Sequence, residues 1–243
     1  MKAHLPFGLL LLATPALAQD PPPAEEKRFT ITTDVSFVNT GGNSDVTTLG
    51  ISDKAVWNIS SRFLMRQEFR WDYGEDEGER SANALVLGVR GEYALTGGVS
   101  LFVGFGYDFD MFNGVKRHFE ESIGLGFFVW ETDRDVLRLD TGVAQNQEWE
   151  LLQNSATNFT TGLLTADYKH LFGEKAYIQQ IVEYIHNFDI SADYRLNTET
   201  ALVAPITGGV AIKIGYIYRY RGEPPEGFGT TDTTFRTGIQ ITN

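Results

Sequence analysis

The chain has 243 residues, no cysteine and a formal net charge of −12. Without cysteine, neither a disulfide framework nor a thiolate metal site can form. The acidic balance argues against a nucleic-acid partner, which a basic patch would accompany. Beyond the N-terminal segment, no stretch stays apolar over the roughly twenty residues that a membrane-spanning helix needs. The mature chain is therefore either soluble or crosses a membrane as a closed barrel of strands.

The N-terminal residues have the composition of a targeting segment. Lys2 precedes an apolar core at 5–12, and the small residues Ala16 and Ala18 provide a cleavage site. We expect a signal peptide over 1–18, a disordered periplasmic lead over 19–27 and a barrel domain over 28–243. The alternative of a buried N-terminal helix is disfavoured because three consecutive prolines follow at 21–23.

Alternation of apolar and polar residues begins directly after the lead. The first strand is predicted over 29–37 and is followed by a glycine-rich turn at 40–45. The second strand runs to Trp57, and Asp53 falls on its apolar phase, which predicts a bulge. The third strand is highly charged and leads into 74–80, an acidic segment that we interpret as a solvated loop rather than a calcium site.

The clearest hairpin comes next, as two alternating runs on either side of Gly97 and Gly98. Leu87 and Val103 lie on the apolar faces, whereas the opposite faces carry small and charged residues. Each run is about ten residues or longer, the length of a strand that crosses a membrane at a tilt. Large aliphatic residues fill the apolar faces and aromatic residues lie near their ends, which suits a lipid environment.

The remaining chain continues this pattern and gives about twelve strands in total. The later connections are expected at 111–116, 132–134, 146–156, 172–174, 189–193, 205–209 and 222–231. Several long loops follow odd-numbered strands, whereas the connections after even-numbered strands are short. Outer-membrane barrels show this asymmetry, with short periplasmic turns and longer external loops. The predicted fold is all-β: a transmembrane, antiparallel, up-and-down β-barrel of about twelve strands.

The polar faces of the strands carry both signs of charge, which in a closed barrel would project into the lumen. We expect pairing across strands, for example of Arg66 and Arg70 with Glu92 and Asp108. Twelve strands give a bore between the filled interior of eight strands and an open porin channel. Both a partly plugged, ion-paired interior and a selective passage remain open. The predicted lumen-facing charged residues are Arg62, Arg66, Glu68, Arg70, Arg90, Glu92, Asp108, Arg138, Asp140, Asp193, Arg195, Glu199, Lys213 and Arg219.

Aromatic residues collect near the strand ends, as expected for rings at the depth of lipid headgroups. Trp130 does not fit the outward phase of its strand. The predicted aromatic girdle consists of Trp57, Trp71, Tyr73, Tyr93, Tyr107, Tyr168, Tyr184, Tyr194, Tyr218 and Tyr220.

One set of residues has the ingredients of a hydrolase. His118, Glu120 and Ser122 share a strand face, but neighbours on a face lie roughly 6.6 Å apart along the strand. Direct hydrogen bonding from Ser122 to His118 is then out of reach. We predict no catalytic residue, no metal site, no cofactor and no enzymatic activity.

Several segments together resemble a known family. They are the turn at 40–44, Ala55 with Trp57, the segment 89–93 and the segment 104–108. The sequence is similar to a family of unknown function whose members are labelled salt-induced outer membrane proteins. This resemblance implies an outer-membrane barrel and no established reaction. Such barrels usually end in an aromatic residue, whereas this sequence ends in Asn243, so we expect an atypical assembly signal.

The sequence thus predicts a porin-like barrel in the outer membrane of the Gram-negative envelope. We expect it to act as a passive small-solute channel or as a structural component. The expected partners are outer-membrane lipid, lipopolysaccharide and, during biogenesis, the barrel-assembly machinery, but no nucleic acid. Two alternatives are a soluble exported barrel that binds an apolar ligand and a lipid-modifying outer-membrane enzyme.

Overall fold

The computed structural model describes residues 27–41, 46–76, 79–173 and 175–243. The predicted signal peptide and all of the predicted lead except Lys27 lie outside this part of the chain. Twelve strands are present: β1 (Phe29–Gly41), β2 (Val46–Asn58), β3 (Phe63–Asp76), β4 (Glu79–Thr96), β5 (Val99–Asp110), β6 (Val115–Glu131), β7 (Asp135–Glu150), β8 (Thr157–Phe172), β9 (Ala176–Asn187), β10 (Tyr194–Thr207), β11 (Val210–Arg221) and β12 (Thr231–Thr242). Among the described residues, no helix is long and apolar enough to cross a membrane.

The twelve strands close into a single antiparallel barrel. Each strand pairs with its neighbours in sequence, and β1 pairs with β12 to complete the ring. The closing pairs run from Thr32 opposite Thr242 to Gly41 opposite Thr233. The ring leaves no strand edge unpaired, so the backbone hydrogen bonds of the sheet are satisfied within it. The predicted all-β barrel of twelve strands is confirmed.

The two ends of the barrel differ in their connections. Turns after even-numbered strands, such as 97–98 and 208–209, lie at the end that also holds the first residue of β1 and the last of β12. We call this the short-turn end. The opposite end, which we call the loop end, carries the longer connections 151–156, 188–193 and 222–230.

Two predicted loops contain paired strand residues. β3 and β4 extend to Asp76 and Glu79, so the predicted acidic loop 74–80 is largely a paired hairpin. β7 likewise continues to Glu150, and Glu148 pairs with Thr157 on β8. Both segments are polar, but a sheet that has neighbours on each side satisfies their backbone groups, so the strands continue past the end of the apolar pattern.

Two residues, Trp130 and Asp53, do not fit the alternation of apolar and polar residues in the sequence. A β-bulge accounts for Trp130, but no bulge is present at Asp53. The register of β6 against β7 shifts between Phe128 and Trp130, so Val129 is an extra residue. The shift restores Trp130 to the outward face, where it is 52% exposed. The register is continuous around Asp53, which pairs with Thr33 and with Phe69. The predicted bulge at Asp53 is therefore wrong, and this carboxylate lies in register on the outward face.

The two faces of the sheet are sharply different. Outward-facing Val103, Ile123 and Leu164 are at least half exposed, at 57%, 50% and 52%. Inward-facing Phe102 and Ala144 are almost completely buried. The packed core therefore lies inside the barrel, and many large apolar side chains of the outer surface remain exposed.

Candidate functional site

Charged side chains converge in the barrel interior, and two of the networks that they form lie at opposite ends of the barrel. The short-turn network consists of Arg66, Arg90, Glu92, Arg138 and Asp140, from strands β3, β4 and β7. The loop-end network consists of Glu148, Asp193, Arg195 and Arg221, from β7, β10 and β11 and the residue before β10. Each network joins strands that are distant in sequence, so both cross-link the barrel through its lumen.

Glu92 is the centre of the short-turn network. Its Oε1 lies 2.8 Å from Nε of Arg66, and its Oε2 lies 2.8 Å from Nη2 of Arg138. Arg90 approaches the same Oε1 at 2.9 Å and reaches Asp140 at 2.7 Å. The Glu92 residue is only 4% exposed, although it lies in the lumen. Three guanidinium groups surround this carboxylate and compensate the cost of removing it from water.

Two glycines on the inward face of β6 make this arrangement possible. A Cβ at Gly126 would lie 2.5 Å from Nη2 of Arg138, so the absence of a side chain there lets Arg138 cross β6 towards Glu92. At Gly124 a Cβ would meet the Phe102 ring and the backbone oxygen of Thr141. Phe102 therefore lies flat on the sheet, and the Arg90 guanidinium stacks 3.7 Å from its ring centroid. Stacked groups fill this part of the lumen.

Glu148 is the centre of the loop-end network. Its two oxygens lie 3.1 Å from Nη2 of Arg195 and 2.9 Å from Nη2 of Arg221. Nε of Arg221 donates to Asp193 at 3.1 Å, and the Asn187 side-chain amide donates to the other oxygen of Asp193. Glu148 is 2% exposed. The sequence interpretation missed Glu148 because it assigned this segment to a loop, although inward Asn146 and Glu148 continue the period-two pattern of β7.

The hydrolase-like set is not assembled. Nδ1 of His118 lies 2.8 Å from Oδ1 of Asp108, and Nε2 lies 2.9 Å from Oδ1 of Asn146. Both ring nitrogens are thus engaged by side chains from neighbouring strands. Ser122 instead packs against Gly104 across the sheet. Within the described part of the chain, no group of three or more acidic or histidine side chains is placed to hold a metal ion.

Part of the lumen remains in contact with water. The inward side chains of Lys54 and Glu68 are 53% and 45% exposed and lie 3.8 Å apart. A cavity of about 40 Å³ separates them from Glu199 and Lys213 on the far strands. Nζ of Lys213 is held at 2.8 Å from Asp34. We call these five residues the solvated wall. Its charges alternate in sign around the cavity.

The predicted lumen-facing residues fall at different places in this arrangement. The structure brings Arg66 and Glu92 together, as expected. Arg70 is instead 3.7 Å from Asp72, and Asp108 bonds to His118, so that expected pairing does not form. Arg62 precedes β3 and is exposed in the turn, not on a strand. The rest of the predicted set lies on the inward register of the strands or, for Asp193, just before β10: Glu68, Arg90, Arg138, Asp140, Asp193, Arg195, Glu199, Lys213 and Arg219.

The predicted girdle residues face outward and fall into two rows. The row near the short-turn end contains Trp57, Tyr93 and Tyr168. The row near the loop end contains Trp71, Tyr73, Tyr107, Tyr184, Tyr194, Tyr218 and Tyr220. Adjacent rings touch within this second row, for example Tyr194 and Tyr220, whose centroids are 5.4 Å apart.

Comparison with known proteins identifies the family. The family model described as "Protein of unknown function, DUF481" matches residues 33–242. The chain belongs to this family. The resemblance to a family of unknown function is thereby confirmed. No curated protein sequence matches the chain.

Solved structures similar to this DUF481 chain include a porin, a translocator domain of an autotransporter and an outer membrane secretin. The NanC porin is 12% identical, with a TM-score of 0.56 over 86% of this chain and 98% of the porin. The translocator domain of the autotransporter NalP from Neisseria meningitidis is 8% identical, with a TM-score of 0.54 over 90% of both chains. A bacterial polysaccharide outer membrane secretin is 6% identical, with a TM-score of 0.50 over 88% of this chain and 97% of that one. At these identities, the likeness establishes the shared fold alone.

A side chain at Gly126 should break the short-turn network. We expect Gly126→Val to destabilise the DUF481 barrel by about 1–3 kcal/mol, because its methyl groups would displace Arg138 and Asp140. Urea unfolding with intrinsic fluorescence measures this change. Gly97→Ala is the matched control, since nothing lies within 4 Å of a Cβ there. Equal stability of the two variants would contradict the crossing role of Gly126.

Removing the Glu148 carboxylate should lower the free energy of unfolding, measured in the same urea assay. Glu148→Ala leaves the Arg195 and Arg221 guanidinium groups without their shared carboxylate, so we expect a loss of about 3 kcal/mol or more. Glu131→Ala, at an exposed position at the end of β6, is the control and should change the unfolding midpoint little. A neutral result for Glu148→Ala would mean that the loop-end network does not hold the barrel together.

Proposed function

We propose that this DUF481 protein is an outer-membrane β-barrel that acts as a narrow passive passage for small polar solutes. The single observation that carries the proposal is the exposure of Lys54 and Glu68. Both side chains point into the lumen, yet about half of each is accessible to water. A passage for polar solutes requires such groups, which can replace part of a solute's hydration.

The outer surface supports a membrane location. Exposed aliphatic or aromatic side chains come from all twelve strands, whereas soluble monomers rarely expose large apolar patches. On β2, Trp57 lies about 26 Å along the strand from Leu49, which pairs with Tyr73. A strand tilt of 35–45° reduces this separation to about 20 Å of height, close to the apolar band of about 25 Å in such barrels. The short-turn end would then face the periplasm.

The interior argues against the two alternatives. A soluble carrier of apolar ligands would need an apolar cavity, whereas the cavity here is lined by Asp34, Lys54 and Glu68. A lipid-modifying enzyme would need a reactive group at the lipid face. His118 points inward and has both nitrogens engaged. We therefore propose a non-catalytic barrel, and insertion by the barrel-assembly machinery is part of the same proposal.

A second candidate is a structural component of the envelope, and the two charge networks favour it. Glu92 and Glu148 are among the most buried polar residues of the protein, at 4% and 2% exposure. Such burial at both ends of the lumen resembles a packed core more than a channel wall. The two candidates differ in one measurable property, which is whether ions cross the barrel at all.

Substitutions on the outward face should test the membrane location. Leu87→Arg and Val103→Arg should each reduce folding stability in lipid vesicles by about 2–4 kcal/mol, since a charge would enter the bilayer interior. Val86→Thr, on the inward face of the same hairpin, is the control and should have a smaller effect. Similar losses for both faces in a vesicle-folding titration would contradict the assignment of the outer surface to lipid.

Planar-bilayer recordings should separate the channel from the structural candidate. We expect small single-channel conductance and weak ion preference, because charges of both signs alternate along the solvated wall. A complete absence of current would favour the structural role. A large and strongly anion-selective current would contradict both the ion-paired interior and the narrow bore.

The short-turn network also predicts a change of selectivity. Glu92→Gln would leave Arg66, Arg90 and Arg138 facing the single carboxylate of Asp140. We expect the reversal potential in a salt gradient to move towards anion preference. Glu121→Gln removes the same charge from the outward face and should leave the reversal potential unchanged. If both variants matched the unsubstituted protein, the network would not line the conducting path.

A further inference from the structure

The outward face of β3–β6 contains a groove. Its volume is about 620 Å³, within the range of about 300–1,000 Å³ that small-molecule sites occupy. Five of its nine lining residues are large aliphatic or aromatic residues, and Gln67, Glu68 and Gly88 line the rest together with Arg117; the five are Leu87, Val89, Phe105, Tyr107 and Phe119. Arg117 lines the groove near the loop end of the barrel.

A bulge and an aromatic cluster hold Arg117 beside the groove. The register of β6 against β7 shifts between Val115 and Arg117, so Lys116 is an extra residue and both basic side chains are exposed. The Arg117 guanidinium lies 4.6 Å from the centroid of the Trp149 ring. Trp149 in turn contacts Phe119 edge-on, with centroids 6.0 Å apart. A guanidinium held this way keeps its hydrogen-bond donors free for an anion.

The groove therefore combines an apolar channel with a positively charged mouth. This combination fits a molecule that has an acyl chain and an anionic headgroup. If the loop end faces outwards, as in the proposed function on which this inference rests, the mouth lies at the outer leaflet. The anionic amphiphile of that leaflet is lipopolysaccharide.

We propose that this groove binds lipopolysaccharide. One acyl chain lies along Leu87, Val89 and Phe105, and a lipid A phosphate pairs with Arg117 and Lys116. Glu121 is exposed on the same outward face, about 13 Å along the strand from Arg117 towards the short-turn end. Its carboxylate repels a phosphate at that depth, so it restricts the headgroup to the rim.

Native mass spectrometry of the full-length barrel in detergent tests the proposal. Bisphosphorylated lipid A is the ligand, and dephosphorylated lipid A and phosphatidylglycerol are the comparison lipids. We expect Arg117→Ala to bind bisphosphorylated lipid A about tenfold more weakly, the loss of one charge-assisted contact. Arg134→Ala removes an exposed arginine at the short-turn end and should bind like the unsubstituted protein.

The comparison lipids complete the design. Binding that falls when the phosphates are removed, and that exceeds binding of phosphatidylglycerol, supports a lipopolysaccharide site. Equal affinities for Arg117→Ala and Arg134→Ala, or equal affinities for lipid A and phosphatidylglycerol, would overturn it. Failure of the outer-membrane assignment itself would appear separately, because the unsubstituted protein would then not fold into vesicles.

Discussion

The closure of β1 against β12 is the constraint on which the rest of the structure depends. Once the sheet is a ring, every strand has an inside and an outside, and the alternation of side chains assigns each residue to one of them. The lumen of a twelve-stranded ring is small, so inward charges must either pair or retain water. Both outcomes occur in this barrel, and they occur in different places.

Ion pairs between side chains fill the lumen at its two ends, whereas the side chains of the solvated wall between them stay accessible to water. Glu92 and Glu148 each draw arginines from distant strands into the lumen, which fixes the cross-section at two heights. Lys54 and Glu68 of the solvated wall stay accessible because a cavity separates them from Glu199 and Lys213 on the opposite strands. The same architecture can serve as a passive passage or as a rigid scaffold. Which of these functions the barrel has depends on how much of the lumen is filled by side chains and how much is open to water.

The strand pattern was predictable from the sequence because period-two alternation is a local property. The hairpin around Gly97 and Gly98 follows from it directly. The same pattern misled where polar residues occupied both faces, as at 146–150, since only the neighbouring strands show that pairing continues. Trp130 was a mismatch because a bulge changes phase without a distinctive local signal.

The lumen networks were harder to predict than the strands. Their residues were visible as inward charges, but the partner of each depends on how far adjacent strands are staggered around the ring. The contact between Arg138 and Glu92 also depends on Gly126, because a side chain there would occupy the space that Arg138 crosses. A glycine adds no charge to the sequence pattern from which this contact could be predicted. Arg62 had the correct phase for the lumen, yet the strand begins after it. Such contacts follow from register and space rather than from composition.

Thiol labelling tests the central claim most directly, because the chain has no cysteine of its own. Single variants Glu68→Cys and Val103→Cys would be folded into lipid vesicles and exposed to a small, charged, membrane-impermeant thiol reagent. The account predicts that position 68 reacts, since it faces a wet lumen, and that position 103 is protected by lipid. Protection at position 68 together with rapid reaction at position 103 would contradict the assignment of both faces.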